Sequence, residues 1–114
     1  MTNSVLERVA RCSRFGARLL AARPALADQD FSRPCSRAVM QAFLAEPPCP
    51  DEDALNQRLR QLRQRVWLVV TARDLTGQAD LAEVTTAYTD LAETCIGAAL
   101  DFHHARLAAR HGEP

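Results

Sequence analysis

A chain of 114 residues with 47% apolar content is long enough for one domain with its own core and too apolar for disorder. Alanine, leucine and arginine dominate while aromatics make up 5%, a mix that favours helix over sheet. Fourteen basic residues balance fourteen acids, which argues against a general nucleic-acid or membrane-surface binder.

The first helical segment is predicted over 4–22. Ser4 with Glu7 has the form of a capping box. Val5, Val9, Cys12, Gly16 and Leu19 then recur at helical spacing, and the Cys12-Ser13 pair with Gly16 weakens the middle. Pro24 ends this helix or starts a single turn through Leu26. Asp28 to Arg33 reads as loop. A short helix over 35–46 follows, with Pro34 acceptable near its first turn and Val39, Met40, Phe43 and Leu44 on one side.

Glu46-Pro-Pro-Cys-Pro50 stops that helix, because consecutive prolines bar the α conformation before them. Asp51 is the expected cap of a helix over 51–75. Leu55, Leu59, Leu62, Val66 and Val69 mark its core stripe. Val66-Trp67-Leu68-Val69-Val70 is apolar all round and therefore predicted to be central and buried. Gly77 is the expected stop. Asp80 and Glu83 open the longest helix, 80–111, which carries two apolar stripes. One runs Leu81, Val84, Tyr88, Leu91, Cys95, Ala98, Phe102; the other runs Ala92, Ile96, Ala99, His103, Leu107. Two stripes predict neighbours on more than one side, and Gly97, Ala98 and Ala99 would allow close helix approach. The expected fold is all-α, a single domain forming a small bundle of about four to five helices ending in two long antiparallel helices.

The zero net charge hides an asymmetry. Met1 to Arg73 holds twelve arginines and seven acids, whereas Asp74 to Pro114 holds two arginines and seven acids. Halves of about +5 and −5 are expected to neutralise each other within the bundle. Arg58, Arg60, Arg63, Arg65 and Arg73 form a ladder on the third helix. Arg58, Arg65 and Arg73 are the candidates for contact with a phosphate, an acidic surface or a partner. An internally paired face opposite the acidic helix from Asp80 to Asp101 is the alternative.

Sites of chemistry are sparse. Cys12, Cys35, Cys49 and Cys95 show no CxxC or zinc-type spacing, so reduced cysteines and a cytoplasmic setting are expected. No apolar leader opens the chain, and its longest apolar run is too short for a bilayer. His104 and His111 lie about 10 Å apart along a helix, too far for one ion without a ligand between, and His103 is expected to be partly buried. Asp28-Gln-Asp30 and Asp51-Glu-Asp53 flank helix boundaries, where acids satisfy free amides, rather than following a strand as magnesium-binding pairs would. No residue is assigned a catalytic, cofactor-binding or metal-ligating role.

One stretch resembles a known family. Leu59-Arg-Gln-Leu-Arg-Gln-Arg65, continuing to Ala72-Arg-Asp-Leu75, is similar to the bifunctional glutamine synthetase adenylyltransferase/adenylyl-removing enzymes, which typically read Leu-Arg-Arg-x-Arg-x-Arg-Glu-Met-x-Arg-Ile-Ala-x-Arg-Asp-Leu there. Asp80-Leu-Ala-Glu83, Leu91-Ala-Glu-Thr-Cys-Ile96 and Ala98-Ala-Leu100 look like the acidic helix that follows. Ser13-Arg-Phe15 and Leu19-Leu-Ala-Ala-Arg-Pro24 resemble the family's first helix, and Arg110-His-Gly-Glu-Pro114 its run-in to the first catalytic core. The chain departs from the pattern at Val66-Trp67 and at Val69-Val70-Thr71, which would remove a glutamate and an arginine from one helix and with them a contact to the core.

The resemblance implies a non-catalytic segment of a larger multidomain enzyme, packing beside an adenylyl-removing nucleotidyltransferase core. Its glycine-serine…Asp-x-Asp metal motif would lie beyond Pro114, so this chain should be inactive alone. The parent would use magnesium and ATP, act on glutamine synthetase and respond to the PII signal protein. No nucleic acid or membrane partner is implied. The alternative is a stand-alone helical interaction module, such as a homodimer using the Val66–Val70 girdle as part of its interface.

Overall fold

The computed structural model describes residues 2–111, and all of its regular structure is helical. The elements are α1 (Thr2–Cys12), α2 (Arg14–Ala22), a 3-10 turn (Pro24–Asp28), α3 (Arg37–Ala45), α4 (Glu52–Leu75) and α5 (Leu81–His111). The last two are the long antiparallel pair.

The first predicted helix is divided. Ser13 takes an extended conformation and its Oγ accepts a hydrogen bond from the Gly16 amide at 3.0 Å. It caps α2 as α1 ends beneath it. Ser4, by contrast, is no cap, because Thr2 and Asn3 are already helical and carry α1 upstream of it. The division lets α2 fold back. Gly16 is buried where a Cβ would stand 2.8 Å from Val9 Cγ1 and 3.2 Å from Trp67 Cη2. Phe15 meets Trp67 edge-on at 4.9 Å between ring centroids, a favoured aromatic geometry.

α3 begins later than expected, at Arg37, because Ser36 supplies its cap through the Val39 amide. Pro34 therefore lies outside the helix, and Val39 faces solvent at 52% exposure instead of joining Met40 in the core. Asp51 caps α4 through the Ala54 amide at 2.8 Å. At its other end Gly77 adopts φ +73°, a left-handed conformation that glycine enters without a Cβ penalty. The amides of Gly77 and Gln78 close the helix by donating to Asp74 O and Arg73 O.

α4 is the centre of the fold. Leu68, Val69 and Ala72 join Leu6, Val9, Leu19, Leu26 and Phe31 in one apolar cluster. Leu62, Val66 and Val70 join Met40, Ala87 and Leu91 in a second. The apolar girdle is thus packed within the chain on both sides, with Trp67 partly buried. Val66, which stands where the family pattern has a glutamate, and Leu68 are completely buried. Apolar side chains here fill the interior.

The second stripe of α5 is not covered. Ile96 and Leu107 are 60% and 55% exposed, Leu100 beside the stripe is 65% exposed, and His103 is exposed rather than partly buried. The other elements reach α5 mainly through its first half. Leu91 and Thr94 are its last fully buried positions among the described residues, and beyond Cys95, which still packs against the second cluster, the stripes are largely open.

Candidate functional site

The basic ladder of α4 is held by the chain itself. Arg73 is 7% exposed. Its Nε and Nη2 donate to Glu83 Oε2 and Oε1 at 2.7 and 3.0 Å. Nη1 donates to Phe31 O at 3.2 Å and Nη2 to Gln78 O at 3.3 Å. The Glu83 hydrogen bonds raise the guanidinium's basicity against the opposing effect of burial. Arg73 therefore cannot present itself to a partner, and its charge is consumed in joining three segments. Glu83 is drawn to Arg73, while Asp80 alone caps α5 through the Glu83 amide.

Arg58 and Arg65 lie on one face, as their spacing requires, and both are half-buried. Arg58 Nη1 donates to the carbonyl oxygens of Leu44, in the last turn of α3, and Pro47, in the proline-rich bend that follows. Arg65 stacks over the Phe43 ring with its Cζ 5.1 Å from the centroid, a cation–π arrangement. Both hold α3 against α4. Arg60 and Arg63 are the exposed members of the ladder.

The opposed charge of the two halves is realised in specific pairs. Arg37 Nη2 meets Asp90 Oδ1 at 2.8 Å and Glu93 Oε2 at 3.1 Å, and the hydrogen bonds that Arg37 donates to Asp90 and then to Glu93 raise its basicity. With Arg73–Glu83, each of these ion pairs joins an arginine of the first 73 residues to an acid of the last 41. The Arg73–Glu83 pair matches the internally paired reading of the ladder, whereas nothing in the sequence marked Arg37, whose partners lie 53 and 56 positions away.

No metal centre forms among the described residues: no three His, Cys, Asp or Glu side chains converge to hold an ion. Asp51 is occupied as a helix cap, and Asp30 accepts from the Ser32 amide at 2.9 Å. All four cysteines are free thiols.

A groove of about 490 Å³ opens between α3, the start of α4 and the middle of α5. Leu44, Leu55 and Phe102 supply apolar walls, with Arg37, Glu93 and Asp101 at the rim. Thr94 lines it, 7% exposed, and its Oγ1 is buried without a hydrogen-bond partner. Gly97 borders the same groove, and a Cβ built there meets nothing within 4 Å. The close approach foreseen at Gly97 is therefore unused among the described residues.

A family model described as glutamate-ammonia ligase adenylyltransferase matches residues 4–114. The chain belongs to that adenylyltransferase family. Its relatives include the bifunctional glutamine synthetase adenylyltransferase/adenylyl-removing enzyme of Burkholderia mallei, 46% identical over 110 residues. The enzymes of the same description from Thioalkalivibrio sulfidiphilus and Aromatoleum aromaticum are 40% and 42% identical. The alignments cover 90–96% of this chain but about 12% of each relative. No solved structure matches it. None of its helices is long and apolar enough to cross a membrane.

Proposed function

We propose that this chain serves as a non-catalytic helical segment of an enzyme that adenylylates and deadenylylates glutamine synthetase, packing beside its adenylyl-removing nucleotidyltransferase core. One observation carries the reading: relatives align along almost the whole chain, yet that length is about one-eighth of theirs. The arrangement of side chains agrees with it. The buried guanidinium of Arg73 on α4 is spent on holding helices together, and the second half of α5 keeps apolar side chains in the open. Such a helix end belongs against more protein.

Magnesium and ATP would be handled by the core of the longer enzyme. Glutamine synthetase is the proposed target and the PII signal protein the proposed regulator, both in the cytoplasm. Arg58 and Arg65 remain candidates for contact to the core through their outer edges; Arg73 serves the fold.

The reading is tested by adding the purified chain, magnesium and ATP to glutamine synthetase and following AMP incorporation by mass spectrometry. No adenylylation is expected from the chain alone. The Burkholderia mallei enzyme carrying this chain in place of its matching 110 residues should retain both adenylyl transfer and removal. Transfer by the chain alone would overturn the non-catalytic role, and loss of both activities in a folded exchange enzyme would overturn the place assigned to it.

A further inference from the structure

The groove at Thr94 has the properties of a helix seat. Glu93, Gly97 and Asp101 recur every four residues along α5 and so form one line on its surface. The middle of that line is bare backbone, since a Cβ at Gly97 would meet nothing within 4 Å. Small residues at such a point allow a second backbone to approach closely. Thr94, one position over from that line, carries the independent sign of a missing partner. Its residue is 93% buried, its Oγ1 makes no hydrogen bond, and a buried hydroxyl left unpaired costs free energy that a partner can recover.

Charge restricts what can lie there. Glu93 already shares Arg37 with Asp90, but Asp101 has no ion-pair partner among the described residues. An occupant passing over Gly97 therefore meets unbalanced negative charge at the Asp101 end and apolar walls at Leu44, Leu55 and Phe102. We infer that the groove seats a basic amphipathic helix from the remainder of the longer adenylyltransferase. It would set a small residue against Gly97, a hydrogen-bonding side chain toward Thr94 Oγ1 and an arginine or lysine beside Asp101. The inference rests on the proposed function for the source of that helix, because seven-eighths of each relative's length lies outside the matched stretch. A second copy of this chain is the competing occupant.

The test uses the 114-residue chain and overlapping 25-residue synthetic peptides covering the Burkholderia mallei enzyme outside its matched stretch. Binding is read by fluorescence anisotropy at low and high salt, beside sedimentation of the chain alone. Peptides with a basic, apolar-faced helical pattern are expected to bind. Gly97→Leu should weaken them about tenfold or more by filling the crossing point, and Asp101→Arg should weaken them and flatten the salt dependence. Circular dichroism guards the first variant against misfolding; the second alters an exposed side chain. Binding untouched by either variant would overturn the seat while leaving the proposed function standing, and binding by no peptide would overturn the seat itself. A concentration-dependent dimer abolished by Gly97→Leu would assign the groove to a second copy and overturn the occupant. Failure of the proposed function is read separately, from AMP transfer by the chain alone.

Discussion

Arg73 and Glu83 face each other across the α4–α5 turn in a two-pronged pair, with both nitrogen–oxygen distances at or below 3.0 Å. The same guanidinium reaches the Phe31 carbonyl, so one side chain fastens the loop before α3 and the starts and ends of the two longest helices. Its value to the fold lies in this sharing. Removing one partner leaves a charge that water barely reaches.

Glu83→Ala is therefore expected to cost about 3 kcal/mol of unfolding free energy, measured from urea denaturation of the purified chain. Asp90→Ala, at the more exposed Arg37 pair, should shift the midpoint much less. Equal losses would show that burial is not what distinguishes the two pairs.

Gly16→Ala tests the fold-back of α2. The added methyl would stand 2.8 Å from Val9 Cγ1, and Val9 is completely buried. Overpacking should cost about 1–3 kcal/mol, less about 1 kcal/mol recovered from alanine's better helix propensity. The melting temperature should fall. A rise would mean that α1 and α2 are not clasped at this point.

Most of the fold was legible in the sequence because its signals are local. Asp51 and Gly77 stand at the ends of α4 as their chemistry requires, and the five-residue apolar girdle lies at the centre. The readings that failed depended on neighbours distant in the chain. His103 and Ile96 belong to a stripe whose periodicity signals burial, but periodicity cannot say whether a covering helix is present. Arg73 looked like a surface ligand because its partner Glu83 read as half of a capping box. Thr94 offered no signal at all: a threonine in a helix becomes informative only when its hydroxyl is seen buried and unpaired.

Val66→Glu would restore the residue type that the family pattern places there. Because Val66 is completely buried between α4 and its neighbours, the carboxylate would have neither water nor a cation. A loss of about 4 kcal/mol is expected, seen as collapse of the cooperative thermal transition. A stable variant would instead locate position 66 at an accessible surface.

The thiols should separate by reactivity. Burial raises the Cys35 thiol pKa against the opposing charge of Arg65, and burial raises that of Cys95 against Arg63. Both stay neutral where an ordinary thiol begins to ionise, so alkylation near pH 8 should modify exposed Cys12 well before either. The sign for stability follows. Above the ordinary thiol range the unfolded chain releases protons that the native chain retains, so stability falls as pH rises through that window. Peptide mapping after timed iodoacetamide treatment checks the first point, and urea midpoints across alkaline pH check the second.

α4 contributes one wall to each of two separate apolar compartments, with α1 and α2 on one side and α3 and α5 on the other. The principal contacts of the first group reach the second through that helix. A displacement imposed on α5 is thus felt at Val9 or Leu19 chiefly by turning α4 about its own axis. Dense packing on both faces leaves that rotation little slack. The helix acts as a shaft between two bearings, and movement at one end of the segment is delivered to the other instead of being absorbed on the way.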